Sequence, residues 1–504
     1  MKGFLNTKRA EGLTTSFNNQ NNILFIIDEV DFIDNFGITL LSSVAKNIGW
    51  NTFLTVFSKK NIDAVFRKIK PTIVCYSSMS SNSETYLMIN RYLKTKYEFV
   101  SIMGGPHPTY FPEVIQEEGL DYICRGEGEL AFAEFLTKYK NRESVESVGN
   151  FWSKTNRNPV RELVQDLDTL PFPDRELFFE NTSLKKMPIK TFMTSRGCPF
   201  PCTYCYNLIL KTEYKGKGRY ERTHSVDRVV EEINRIRSKY PLDLIKFEDD
   251  FFGINKTWLE EFSKTYRKEI GLPFNCLQRI DLIDKDRIKL LKEANCFSIN
   301  VAIDSANERI RNEILNRKMK IPNKEIVSRI LMVKEGGINV HTNFMIGIPT
   351  STIEDEIAGV DLNIKGKTDY ANSTILVPYP KTAMWDYCIK NNINFGNCDG
   401  KSLFVSIQKK SVLSCFTDKE KDIQWNLSAF FPAIVKFPGL KSVFIWIAKH
   451  TKPNIAFAGF YVLCRAYLLS KYIYPTKMSL LYRLENLFKA LKIEVSRMLG
   501  FKKQ

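Results

Sequence analysis

Histidine is scarce in this 504-residue chain: there are four, His107, His224, His341 and His450, and no two share a ligand-type spacing. A structural zinc site wants four closed ligands, usually two spaced Cys/His pairs. No second CxxC or HxxxH knuckle stands beside the one tight cysteine group, so zinc would need a distant fourth ligand. Long apolar runs are also missing. The longest charge-free stretch of the C-terminal tail, Pro453 to Cys464, is shorter than the ~20 residues that span a bilayer. No internal repeat and no low-complexity tract occurs. Residues 1–22 are polar and lack the apolar segment of a signal peptide. The expectation is a reducing, cytoplasmic setting, in which clustered thiols bind metal or do chemistry rather than form disulfides.

Hydrophobic residues make up 44% of the chain and charged residues 26%, a globular balance with enough material for several domains. The net charge is +17, and it is uneven. From Lys441 to Gln504 there are twelve Lys and Arg against two Glu, so +10 of the +17 lies in the last 64 residues. Such a tail suits an anionic lipid surface or an acidic substrate; nucleic acid is a weaker option, since no recognition motif accompanies the charge.

Residues 22–141 alternate β-branched runs with helical patterns. The strands read 22–28, 51–57, 72–78, 98–105 and 121–128. Continuous apolar strands alternating with helices predict a parallel sheet covered on both faces, a doubly wound, flavodoxin-like α/β domain. Its ligand crevice lies at the carboxyl ends of the strands. The unusual residues fall there: Ser77 and Ser78 in SSMSS, Gly104 and Gly105 in GGPHP, Gly126 and Glu127 in RGEGE. Residues 142–189 read as an ordered linker, with DLDTLPFPDRE at 166–176. The βα pattern restarts at 190 and runs to 404, with strands at 244–249, 297–304, 338–347 and 372–379. That predicts a full or partial TIM-type barrel. Residues 405–504 turn helical, aromatic and basic; at 478–499, Leu481, Leu484, Leu487, Phe488, Leu491, Val495 and Met498 recur at helical spacing. Residues 1–21 read as a disordered N-terminus.

The stretch SRGCPFPCTYCYN at 195–207 places Cys198, Cys202 and Cys205 within eight residues. A catalytic thiol needs one activating neighbour, not two more thiols. Three thiolates on one loop suit three irons of a 4Fe–4S cube; with four cysteines the rule for electron transfer, the missing ligand leaves one iron open.

CxxxCxxC with Tyr204 before the last cysteine, at the end of a first barrel strand, resembles the radical S-adenosylmethionine (SAM) superfamily. The resemblance implies that SAM chelates the open iron and is cleaved there to a 5′-deoxyadenosyl radical. It implies SAM contacts by Tyr204, by Glu248, Asp249 and Asp250 of FEDDFFG, by Arg279 of LQRIDLID, and by Asp304 and Ser305 of NVAIDSANERI. In this last segment Asp304 replaces the family's Glu, with Asn300 and Ala302 upstream. Thr350 and Lys381 stand where glycine is common. A doubly wound domain, a Pro-rich linker and then the cysteine loop, over roughly residues 20–390, resembles the cobalamin-binding subgroup. The resemblance implies cobalamin over the barrel mouth, its tail in the crevice at Ser77, Ser78, Gly104, Gly105, Gly126 and Glu127. DEVDFIDNFG at 28–37 lacks the histidine that many cobalamin proteins carry after the first strand, which fits either a cobalt with no histidine ligand or a degenerate domain that binds no cobalamin; His107 reads as structural.

The function expected is cobalamin-dependent methyl transfer to an unactivated carbon of a small-molecule or lipid-like substrate, with a flavodoxin or ferredoxin as electron donor. The alternatives are a non-methylating cyclase or oxidoreductase of the same architecture, and a non-enzymatic cobalamin or cluster sensor. The basic tail reads as a helical cap on the barrel or as a peripheral membrane contact.

Overall fold

The computed structural model describes residues 21–30, 33–395 and 410–476, with four isolated positions (485, 487, 488 and 491). All but residue 21 of the N-terminal segment 1–21, and the amphipathic pattern at 478–499 apart from those four positions, lie outside the described residues.

The first sheet holds β1 (Asn22–Ile27), β2 (Asn51–Val56), β3 (Ile73–Ser77), β4 (Val100–Gly104), β5 (Tyr122–Cys124) and β6 (Phe151–Trp152) in the order β2-β1-β3-β4-β5-β6. The first five are parallel; β6 runs antiparallel at the edge. All six residues of β1 are buried. Ile23, Phe25 and Ile27 join one core with the helices Phe36–Asn47 and Glu129–Lys140. Leu24 and Ile26 join another with the helices Ile62–Ile69 and Ser83–Lys94. The two-residue period of the strand thus feeds two faces, which is why it reads as an unbroken apolar run. The order reverses between β1 and β3, and the crevice opens there.

The second sheet holds β7 (Ile189–Phe192), then, after the short antiparallel pair β8 (Ser195–Arg196) and β9 (Arg222–Thr223), β10 (Leu244–Phe247), β11 (Phe274–Gln278), β12 (Cys296–Asp304), β13 (Asn339–Ile346) and β14 (Tyr370–Ile375). Its six strands are parallel and sequential, with β7 and β14 at the edges, so it is a partial barrel. The helix Asp418–Lys436 covers the β14 edge, where Ser428 Oγ donates to the Ser373 carbonyl at 3.1 Å and Phe431 packs against Phe344. The chain then returns beneath the barrel. Ser298 Oγ donates to the Ile473 carbonyl at 2.9 Å, and Tyr461 Oη donates to Asn372 at 2.9 Å.

Segment 142–189 straps the two sheets together. Asp174 N–H donates to the Thr39 carbonyl at 2.9 Å, and Arg228 stacks on Phe172 with the guanidinium 3.2 Å from the ring centre. Arg175 is buried at the junction. It pairs with Asp34 of the β1 loop, donates to the Thr191 carbonyl of β7 at 2.7 Å, and meets Glu232 at 3.0 Å.

Candidate functional site

The cysteine loop follows β8 and is held from several sides. Gly197 lies at φ 87°, where a Cβ would sit 2.4 Å from the Tyr220 carbonyl oxygen, so the turn into the loop requires glycine. Arg196 pairs with Glu127 at 3.0 Å and Glu129 at 2.7 Å. Asn316 Nδ2 donates to the Pro201 carbonyl at 2.9 Å, Thr203 Oγ1 donates to that of Ile314 at 2.8 Å, and the Thr203 carbonyl accepts from Met384 N–H at 2.9 Å.

Cys198 and Cys205 are half-buried and Cys202 is buried. Burial pushes both half-buried thiols up, Cys205 to about 11. Each sulfur nevertheless meets a donor: the Phe200 N–H for Cys198, the Asn207 N–H for Cys205, and Arg317 Nη1 at 3.5 Å for Cys202. Donors aimed at sulfur favour thiolates, the form that ligates iron. Among the described residues no group of three or more His, Cys, Asp or Glu converges on a single-ion site. Three thiols that each take a different iron of a cluster need no such convergence. The donor set therefore fits a 4Fe–4S cluster.

The residues expected around SAM divide. Arg279 is buried above Phe200, 3.7 Å from the ring centre, and is held by Asp281 and the Arg317 carbonyl. Its Nη1 is buried with no protein partner, which suits an incoming carboxylate. Asp250 is exposed, within electrostatic reach of Cys198 and Cys205. Glu248 pairs with Lys246. Asp249 turns the other way. Its Oδ1 accepts from Thr194 N–H at 3.0 Å, Thr194 Oγ1 at 2.8 Å and Ser195 Oγ at 2.5 Å, so it anchors the approach to the loop rather than facing a SAM ammonium. Burial raises its carboxyl to about 6 against those hydrogen bonds. Asp304, expected as a SAM contact, is engaged by the protein instead. Its carboxylate takes the Tyr204 hydroxyl at 2.7 Å and Arg317 Nε at 3.1 Å. Ser305 Oγ accepts from Asn307 N–H at 3.1 Å and caps its own turn.

Arg317 joins the site with no signal in the sequence to mark it. Buried, it joins Cys202, Tyr204 at 3.0 Å, Asp304 and the Ala302 carbonyl at 2.6 Å. In the basic run NRKMK nothing marks it out from its neighbours.

At the carboxyl ends of the first sheet lies a cavity of about 330 Å³. Ser77, Gly104, Gly105, Gly126 and Glu127 line it; Ser78 is fully buried behind it. The Glu127 carboxylate is held by Arg196 and Arg222, so it braces the cysteine loop. Gly126, at φ 68°, lies against Tyr214, where a Cβ would come within 1.9 Å of the hydroxyl. The opposite wall comes from the barrel side: Met193, Ser195, Arg196, His224 and Arg228. A slot of this size is large enough for a heterocyclic group but too small to enclose a whole cobalamin. His107 is held by Ser80 and stacks on Phe111, consistent with a structural part.

Comparison with known proteins accounts for this pairing of sites. The family model of the radical SAM superfamily matches residues 192–359, and that of the B12 binding domain matches residues 30–136. An uncharacterized methyltransferase of Pyrococcus horikoshii is 31% identical over 342 residues, covering 66% of this chain and 72% of the relative. The cytidylyl-2-hydroxyethylphosphonate methyltransferase of Streptomyces wedmorensis is 26% identical over 334 residues; the alignment covers 58% of this chain and 60% of that protein. Among solved structures, the radical SAM methyltransferase TsrM of Kitasatospora setae, with cobalamin and a 4Fe–4S cluster bound, superposes with a TM-score of 0.65 at 12% identity, over 95% of this chain and all of that one. The cobalamin-dependent radical SAM enzyme OxsB, with aqua-cobalamin and SAM bound, gives 0.66 at 15% identity, over 95% and 84%. These two share the fold: a B12-binding α/β domain, a partial barrel and a helical C-terminal region. The chain belongs to the cobalamin-binding radical SAM enzymes, whose cofactors are a 4Fe–4S cluster, SAM and cobalamin.

Proposed function

We propose that this enzyme is a methyltransferase that places a methyl group on an unactivated carbon of a small-molecule or lipid-like substrate. One observation carries the reading: the strand-end cavity and the cysteine loop share a wall, because Ser195 and Arg196 line the cavity and lead directly into Cys198. When bound, the cluster and SAM supply a hydrogen-abstracting radical and cobalamin supplies a methyl group. The chain's part is to bind and orient. Cys198, Cys202 and Cys205 hold the cluster, Arg279 Nη1 takes the SAM carboxylate, and Arg317 fixes Cys202, Tyr204 and Asp304 in one arrangement. Gly104 keeps a side chain out of the tail slot, while Gly105 and Gly126 let the lining backbone pack against Ser78 and Tyr214. The methyltransferase names of the two relatives support methyl transfer over cyclisation. A flavodoxin- or ferredoxin-type protein serves as reductant. The enzyme works in the reducing cytoplasm, with its basic C-terminal region in contact with the membrane.

The test is anaerobic purification with iron and cobalamin analysis, then turnover with methyl-labelled SAM and a reductant. Label in a stable product, together with 5′-deoxyadenosine, is the expected result. A product with no added methyl would favour the cyclase or oxidoreductase reading. A fully loaded enzyme that leaves SAM intact would favour the sensor.

A further inference from the structure

Between Asp422 and Glu485 the chain carries no acidic residue, yet it carries eight Lys and Arg. The described part of this stretch forms the helices Lys441–His450 and Ile455–Leu468. Among the described residues, seventeen large apolar side chains are exposed, and eight of them fall between Phe437 and Tyr467. The rest are spread along the other segments, as on any protein surface. Leu440, Val443 and Trp446 follow one another at three-residue steps, and Trp446 is 61% exposed. Phe460, Leu463 and Tyr467 form the matching ridge on the second helix. The two helices meet where Phe444 packs on Phe460, with ring centres 5.7 Å apart and both against Phe430, so the ridges flank one seam. A Cβ added at Gly439 or Gly459 would meet nothing within 4 Å. Lys452, Arg465 and Lys471 are exposed around these ridges.

We propose that this face rests on an anionic lipid bilayer, with Trp446, Leu463 and Tyr467 in the interface and Lys452, Arg465 and Lys471 at the headgroups. Contiguous exposed apolar groups mark an interaction surface. The charge selects the occupant: Lys441 and Lys449 are paired with Asp361 and Glu354 of the barrel, but the stretch itself contributes only basic residues, and Lys452, Arg465 and Lys471 complement anionic headgroups while the aromatic-bearing apolar ridge fits the headgroup–acyl boundary. No helix among the described residues is long and apolar enough to cross a membrane, so the contact is peripheral. This deepens the membrane contact named above and is independent of the radical chemistry.

The test is co-sedimentation of the full chain with phosphatidylglycerol–phosphatidylcholine vesicles and with phosphatidylcholine alone. Binding is expected to the anionic vesicles only, falling about tenfold at high salt. The double variant Trp446→Glu, Leu463→Glu should lose binding while retaining SAM cleavage. Lys452→Glu with Lys471→Glu, which changes no apolar side chain although Lys471 donates to the Tyr467 hydroxyl, should lose the salt-sensitive part. No binding to anionic vesicles, or binding unchanged in both double variants, overturns the proposal. A concentration-dependent dimer that the apolar variant dissolves would overturn it in favour of a second copy. Loss of SAM cleavage with binding intact would count against the radical reading alone.

Discussion

The two parallel sheets end their strands in opposite ways. At the first, the ends are largely bare backbone: Gly104, Gly105, Gly126 and Gly128 line an open cavity. At the second, charged side chains crowd the ends and are held by polar partners, Asp249 by Thr194 and Ser195, Arg317 by Asp304 and Tyr204. A bulky cofactor tail needs room, and removing side chains provides it. A cluster and a small charged cofactor need charges held at fixed distances, which supporting hydrogen bonds provide.

The sharpest way to break the contrast is at the cysteines. Changing Cys198, Cys202 or Cys205 to Ala should reduce SAM cleavage to background, read as 5′-deoxyadenosine in anaerobic reactions; retained cleavage would remove the cluster from its place. Gly104→Leu addresses the other sheet. A Cβ there has only the Cys124 carbonyl and Cβ near 4 Å, so the side chain fills the cavity without backbone strain. Cobalamin retention should fall about tenfold or more while SAM cleavage persists; undiminished retention would locate the tail elsewhere.

Arg317→Gln removes a cation from Cys202. Hydrogen bonds and charge near cluster sulfurs set the potential, so the cluster should become harder to reduce in an EPR-monitored titration. An unchanged midpoint would mean that the arginine leaves the sulfur in the loaded enzyme. Asp249→Asn is the smallest change. Its folded-state carboxyl stands near 6, above the ordinary value of about 3.9. The folded protein therefore holds that proton more tightly, and the contribution present below pH ~4 is lost as pH rises through ~6. Any stability advantage of the wild type over the Asn variant should shrink by about 2 kcal/mol from pH 4 to pH 7 in urea unfolding. Parallel profiles would contradict a buried, proton-binding Asp249.

How far the sequence speaks depends on how local the signal is. β1 to β5 are legible because burial on both faces leaves unbroken apolar runs. β11 is not among the strands read from the sequence. Its Asn275 and Gln278 look like surface residues, yet both are buried, with Asn275 donating to Ser298 and Gln278 to the Phe252 carbonyl. β6, two residues long, has no period to detect. The cysteine ligands are legible because their spacing is contained in one loop. The direction of FEDD is harder: neighbours on an extended chain point oppositely, so Glu248 and Asp249 cannot both face SAM. Arg317 reaches Cys202 across 115 positions, a distance no local pattern spans. Thr350 and Lys381, where the family commonly has glycine, lie at φ 70° and 69°, the left-handed region that glycine occupies most easily.

Arg175 ties the strap, the β1 loop and β7 into one buried knot. Separating the two halves would leave the Asp34 carboxylate without its cation in a place water does not reach. A protease nick in the strap should therefore yield fragments that stay associated, and the halves, expressed separately, should fold poorly until mixed.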